Sequence, residues 1–442
     1  MKVQLSDHFT YKKLFRFTLP PIMMMIFTSV YGVVDGFFVS NYVGKTPFAA
    51  VNLIYPFLML LGAFGFMFGS GGSALIAKTL GEGDNVKAKK LFSLFIYVSI
   101  VLALVIMGVS FFCLRPIAGF LGAEGELLEY CVIYGRILLV ALPFFILQFE
   151  FQTFFITAEK PGLGLFVTLF SGVTNMVLDY VFLAIFDWGL PGAAWATAGS
   201  QIVGGVISLV YFILSNKSLL RLTTTNMDIK ALIKACFNGS SEFVTNISMS
   251  LVSMLYNFQL MRYAGENGVA AYGVLMYVSF VFVSIFLGYS VGVAPIVSFH
   301  YGAKHPNELK NLFRKSCVII IVFSIAMLIL GEVLATPLSK LFVGYDPELF
   351  DMTEKAFFIY SFSFLFTGVG IFGSAFFTAL NDGLVSAIIS FLRTLLFQVA
   401  AVLVLPLILG LEGIWCSVIA AELLATVVTV AFLAVKRKKY QY

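Results

Sequence analysis

Charge is scarce in this sequence. Asp, Glu, Lys and Arg make up 12% of its residues, where a soluble globular domain carries about 25%. Hydrophobic residues make up 60% and the mean hydropathy is +0.98. There is too little polar surface to coat a water-soluble body, so that class is excluded. Cysteine is sparse too. Cys113, Cys131, Cys236, Cys317 and Cys416 show no close pairing, which leaves no disulfide framework and reads as small apolar filler. The three histidines, His8, His300 and His305, have no metal-binding spacing with Cys or carboxylates. No Ser–Lys or Asp–Asp catalytic motif is present either, so an intramembrane enzyme lacks candidate machinery and the chain is expected not to be one. No cleavable leader is expected: Leu14–Gly44 is too long for one, and no small-residue cleavage site follows it.

What the sequence does have is long apolar runs. They lie near residues 14–40, 49–78, 90–113, 128–158, 162–186, 191–215, 231–262, 268–299, 312–342, 352–380, 384–409 and 413–435. About 20 apolar residues cross a bilayer core of about 30 Å. The expected fold is therefore all-α and integral to the membrane, with twelve transmembrane helices. Basic residues alternate between the two sides. Lys12, Lys13 and Arg16, then Lys87, Lys89 and Lys90, Lys230 and Lys234, Lys310, Arg314 and Lys315, and the tail Lys436 to Lys439 all fall on one side. The opposite side has only scattered ones, such as Arg115, Arg262 and Lys355. This asymmetry places both termini in the cytoplasm of a cell-membrane protein. It also accounts for the net charge of +5 without any nucleic-acid partner.

The chain repeats itself. A shift of 221 residues matches Asp7 with Asp228, Gly44 with Gly265, Gly71 with Gly292, Gly81 with Gly302, Gly162 with Gly383 and Gly192 with Gly413. Each half holds six spans, so both halves start on the same side and are related by an axis along the membrane normal. The expected division is an N-lobe at 1–215, a cytoplasmic linker at 216–230 and a C-lobe at 231–442. Two such lobes suit alternating access about a midplane site within a monomer, rather than an oligomeric pore. The cluster Gly69, Gly71 and Gly72 is not followed by Lys-Ser/Thr and reads as close helix packing.

Polar groups inside spans are costly and usually have a use. Asp35 lies near the outer end of the first span, with Tyr31 one turn earlier on the same face. Asp179 and Asn175 have the same relation on the fifth span, and Thr197 lies at similar depth on the sixth. At 1.5 Å per residue all five fall about 8–11 Å below the outer face. If these helices are neighbours, the residues form an acidic, oxygen-lined pocket able to hold H⁺ or Na⁺, and no other cofactor is expected. Shifted by 221 residues, the set becomes Val252, Tyr256, Leu396, Ala400 and Val418. A network needed only by the fold would recur in both lobes, so the asymmetry points to a function in the N-lobe. Glu150, Glu242, Tyr256 and Arg393 are candidates for a central substrate cavity, with Arg393 alternatively paired to a glutamate.

With these features the chain resembles the MATE (multidrug and toxic compound extrusion) family over essentially its whole length. Pro20, Tyr31 and Asp35 on the first helix, Asn175 and Asp179 on the fifth and Thr197 on the sixth are similar to that family's N-lobe cation site. The interval from Pro20 to Asp35 resembles the bending first helix of its DinF-like branch. The NorM-like branch relies on acidic residues of helices 7 and 10, and here 359–380 contains none. The resemblance implies two six-helix bundles in a V and export of organic cations or drugs by antiport against H⁺ or Na⁺. A lipid-linked saccharide flippase of the same superfamily is the alternative. Its anionic headgroup would want cavity Arg or Lys, and the spans offer only Arg393 and Arg136.

Overall fold

Short polar signals set where each apolar run begins to coil. In the computed structural model, which describes residues 3–214 and 218–442, Thr10 caps α1 (Tyr11–Tyr42) and Asp84 caps α3 (Asn85–Phe120), each accepting a backbone N–H of the first turn. Between them lies α2 (Lys45–Gly81), and after them come α4 (Gly125–Thr157), α5 (Pro161–Ile185) and α6 (Gly189–Ile213). Pro161 opens α5, where its missing N–H costs nothing. The last stretch of α5, Tyr180–Ile185, winds as a π-helix.

The second half starts at the Asp228 cap. Helical backbone then continues over Ile229–Gly302, interrupted only at Gly265 (φ 61°, ψ −149°). A side chain would be strained in that conformation. A straight helix of 74 residues would run about 110 Å, far beyond a bilayer core of about 30 Å. Gly265 is therefore the turn between α7 (229–264) and α8 (266–302), tighter than the five-residue gap expected from the sequence. There follow α9 (Pro306–Val343), α10 (Pro347–Ser361 and Phe364–Ala379, bent by 50°), α11 (Gly383–Leu409) and α12 (Leu411–Tyr440). A second π-helical stretch, Leu392–Leu396, lies inside α11. The described residues thus hold twelve membrane-spanning segments, α1–α6 in one lobe and α7–α12 in the other. Asn216 and Lys217, at the start of the expected linker, lie outside the described residues. Further on, the linker lies against α3: Thr223 N–H donates to Ser93 Oγ at 2.8 Å.

The lobes meet through α1, α2, α7 and α8, and the duplication is visible atom by atom. A methyl group on Gly81 would overlap the carbonyl oxygen of Phe299, and one on Gly302 would overlap that of Lys78. These two contacts are the same contact exchanged by the 221-residue shift. Likewise Gly71 packs on Ala235 and Gly239, while its repeat mate Gly292 packs on Thr18 and Pro21. Such approach leaves no room for a side chain and gives close van der Waals contact where hydrophobic driving force between helices is lost. The end of the molecule that carries these crossings also carries the termini and the clustered lysines.

Inside the C-lobe, Arg393 Nε donates to both oxygens of Glu422, at 2.9 and 3.2 Å. The two side chains are 14% and 6% exposed. Gly370 makes room for the arginine stem, since a Cβ there would stand 2.7 Å from Arg393 Cδ.

Two outcomes are expected. Gly81→Leu and Gly302→Leu should each lower the stability of the purified protein by about 1–3 kcal/mol through overpacking, read as a lower melting temperature. Gly108→Ala should not, since nothing lies within 4 Å of its added methyl. Arg393→Met should cost about 3–5 kcal/mol by leaving Glu422 buried without its partner, and adding Glu422→Leu should return part of that loss.

Candidate functional site

Five helices of the N-lobe bring polar groups to one depth. On α5, Thr168, Ser171, Asn175 and Asp179 recur at steps of three and four residues and so share a face. All four are buried. That face meets α1, where the Tyr31 ring lies against Gly172, which leaves it room. Asp35 Oδ1 accepts from Asn175 Nδ2 at 3.5 Å and from Thr197 Oγ1 of α6 at 3.3 Å. The Asp179 carboxyl lies close to the Asp35 carboxyl. All five residues expected from depth and periodicity are thus brought together.

Two members were missed. Tyr134 of α4, 1% exposed, lies beside Thr197 and near both aspartates. Tyr55 of α2 faces Tyr31 and Asp35. Counting inward from the start of each helix would have found them. Tyr134 lies nine residues into α4 and Tyr55 ten into α2, about 14–15 Å along each axis.

The pocket's electrostatics are one-sided. Among the described residues, no lysine, arginine or histidine forms an ion pair with Asp35 or Asp179. Both Asp179 carboxylate oxygens and Asn175 Oδ1 are buried with no hydrogen-bond donor. Two neighbouring carboxyl groups can bond to one another only through a proton, and otherwise repel. The free oxygens are hard ligands of the kind that suit an alkali cation. Either a proton or a small cation would satisfy them, and the residues present fit both. One turn further along α5, Gln148 Nε2 donates to Ser171 Oγ at 3.1 Å, and Ser171 Oγ donates to the Ser200 carbonyl at 2.7 Å. This ties α4, α5 and α6 together directly beneath the pocket.

The C-lobe is neutral at the corresponding place. Tyr256, the repeat mate of Asp35, is 2% exposed. Its hydroxyl donates to Gln398 Oε1 at 2.8 Å, and its ring stacks on Tyr272 with centroids 5.3 Å apart. The four residues expected around a central cavity separate. Glu242 lines a cavity between the lobes with Ser70, Ser73, Thr153 and Thr378. Glu150 is fully buried inside the N-lobe and faces Ser99 of α3. Tyr256 and Arg393 sit within the C-lobe, the latter paired with Glu422. As for Pro20, α1 runs as one helix through Pro20 and Pro21 from Tyr11 to Tyr42. The expected bend at Pro20 is not a break in this structure, and Pro21 is packed on Gly288 and Gly292 of α8.

Comparison with known proteins adds to this geometry. The family profile named MatE matches the chain twice, at residues 20–181 and 243–403. The two matches repeat the internal duplication and together span most of the sequence. The multidrug export protein MepA of Staphylococcus saprophyticus is 26% identical over 423 residues, covering 93% of this chain and 91% of that protein. MepA of Staphylococcus haemolyticus is 27% identical over 418 residues, covering 93% and 90%. Among solved structures, the outward-facing conformation of a multidrug resistance MATE family transporter of the MOP superfamily superposes with a TM-score of 0.94. It is 22% identical, covering 100% of this chain and 98% of that one. Two lobes related by duplication and a profile that matches each of them lead to one assignment: the chain belongs to the MATE family of multi-pass membrane transporters.

Proposed function

We propose that the protein exports organic cations or drugs across the cell membrane by antiport against H⁺ or Na⁺, with the coupling ion held in the N-lobe pocket. The observation that carries this reading is the pair Asp35 and Asp179. Two carboxyl groups lie close to one another, in one lobe only, and the oxygens of Asp179 have no donor. A site with unsatisfied negative groups favours the conformation in which it is filled, and a differential affinity between two conformations is what couples an ion to movement. Tyr31, Asn175 and Thr197 complete the ligand set, and Tyr134 and Tyr55 close it from α4 and α2. Coupling in the N-lobe with a neutral Tyr256 opposite suits the DinF-like branch of the family. The relatives named as multidrug export proteins support efflux of drugs rather than catalysis.

The basic end, which carries both termini, is assigned to the cytoplasm by its lysines and arginines. The lobes then rock about the α1, α2, α7 and α8 interface, and substrate passes between them in the lipid bilayer. Glu242, on the interlobe cavity, offers a carboxylate to a cationic substrate, whereas Arg393 is already occupied by Glu422. Pro20, where α1 can flex, is a candidate hinge for linking pocket occupancy to that movement.

The test uses purified protein in liposomes, a fluorescent organic cation, and a pH or Na⁺ gradient imposed separately. Asp35→Asn should reduce gradient-driven transport at least about tenfold, because a neutral amide neither takes a proton nor offsets a cation's charge. Tyr256→Phe should keep the coupling, since it removes only the bond to Gln398. The gradient that drives the wild type names the ion. Full coupling in Asp35→Asn would contradict the assignment of the pocket.

A further inference from the structure

Residues 3–10, before α1, are not a loose tail. Leu5 and Phe9 are each 0% exposed, and the segment is pinned at both ends to different lobes. At one end, Leu5 N–H donates to Glu159 Oε1 at 2.8 Å. Glu159 lies at the corner between α4 and α5, in the N-lobe. At the other end, the segment docks on the first turns of α9, in the C-lobe. Phe9 N–H donates to Glu308 Oε1 at 2.9 Å, and His8 Nδ1 lies 2.6 Å from Glu308 Oε2. The Phe9 carbonyl accepts from Asn311 Nδ2 at 3.0 Å and from Lys315 Nζ at 2.6 Å. The Phe9 ring stands edge-on to Phe17 of α1 and to His300 of α8, with centroids 6.3 and 6.4 Å away. The five residues from Leu5 to Phe9 therefore span the gap between the lobes at the basic end, next to the Gly81 and Gly302 crossing.

The duplication does not repeat the groups that make this docking. Shifted by 221 residues, Glu308 becomes Lys87, Asn311 becomes Lys90, Lys315 becomes Leu94, and Glu159 becomes Leu380. Every group that receives the segment is missing from its repeat position. These receiving groups exist on one side only; at the corresponding place the linker before α7 rests on α3 through Thr223 N–H and Ser93 Oγ instead.

We infer that residues 3–10 form a latch across the basic end, which holds the two lobes together there and must leave α9 before that end can open. The segment is covalently continuous with α1 and anchored on Glu159, so it moves with the N-lobe. Separation of the lobes at this end pulls Phe9 from between α1 and α8 and breaks the four contacts to Glu308, Asn311 and Lys315. Two of these are hydrogen bonds to a carboxylate and one is from an ammonium, the stronger kind. The latch thus biases the resting population toward closure at the basic end. The inference rests on the rocking motion proposed above.

The experiment measures lobe separation without any substrate. Spin labels are placed on Lys90→Cys of α3 and Lys310→Cys of α9, both exposed, with Cys113→Ser removing the exposed native cysteine. Distance distributions are recorded in liposomes for the otherwise native chain, for Glu308→Gln with Lys315→Met, and for a chain lacking residues 2–9. The population with the basic end apart should rise at least about tenfold in both altered chains, as expected from losing several charge-assisted contacts. Unchanged distributions in them, while the native chain itself visits both separations, would overturn the latch. A native chain fixed at one separation under every gradient would instead overturn the rocking motion. A second variant covers loss of folding on truncation. His8→Cys with Glu308→Cys, oxidised to a disulfide, should stop transport and regain it on reduction. Full transport while cross-linked would also overturn the latch.

Discussion

Hydrocarbon does not solvate charge, and most of this architecture follows from that constraint. A carboxylate within the membrane must find a counter-charge, a proton, a bound cation or water. The two lobes meet the demand differently. In the C-lobe, Glu422 takes Arg393 as a fixed partner, and the pair lies against Gly370. In the N-lobe, Asp35 receives only an amide and a hydroxyl, and Asp179 receives no donor. A permanent ion pair is a structural solution. An acidic pocket without a fixed counter-charge depends on something that comes and goes, and that dependence is what a coupled transporter needs.

The duplication turns these contrasts into an internal comparison. Where both halves need the same feature for folding, the repeat keeps it: Gly81 on Phe299 mirrors Gly302 on Lys78. Where only one half has a task, the repeat has lost or never had the residues. Asp35 corresponds to Tyr256, Asp179 to Ala400, and Glu308 to Lys87. The first difference defines the pocket and the last defines the N-terminal docking site. The two lie toward opposite ends of α1, and the same helix packs against α5 at the pocket and against α8 between the lobes. It is therefore the element through which filling of the pocket can reach the lobe interface.

Much of this was legible beforehand. The spans stand out because lipid demands long uninterrupted apolar helices, and the five pocket residues stand out because polar atoms are rare in such runs. Tyr134 and Tyr55 were not legible as members of the pocket, because an aromatic residue in a membrane helix is ordinarily packing or lipid contact, and only its depth beside Thr197 and Asp35 reveals otherwise. The cavity expectations failed to separate for a related reason. Glu150, Glu242 and Arg393 are all charged and all in the basic half, but which face of a helix meets the other lobe depends on crossings such as Gly71 on Gly239. Helix packing decides that Glu242 meets the interlobe cavity and Glu150 does not. Nor does the hydrophobic pattern show that Leu5 and Phe9 are buried, since a polar stretch before the first span reads as a tail.

The central claim is that Asp35 and Asp179 bind the coupling cation. Infrared difference spectroscopy of the purified protein, during jumps in pH and in Na⁺, tests it most directly because it reads the carboxyl groups themselves. The account predicts carboxyl bands that respond to one of these ions and that disappear in Asp35→Asn and in Asp179→Asn. Carboxyl signals that respond to neither ion, or that persist unchanged in both variants, would contradict it.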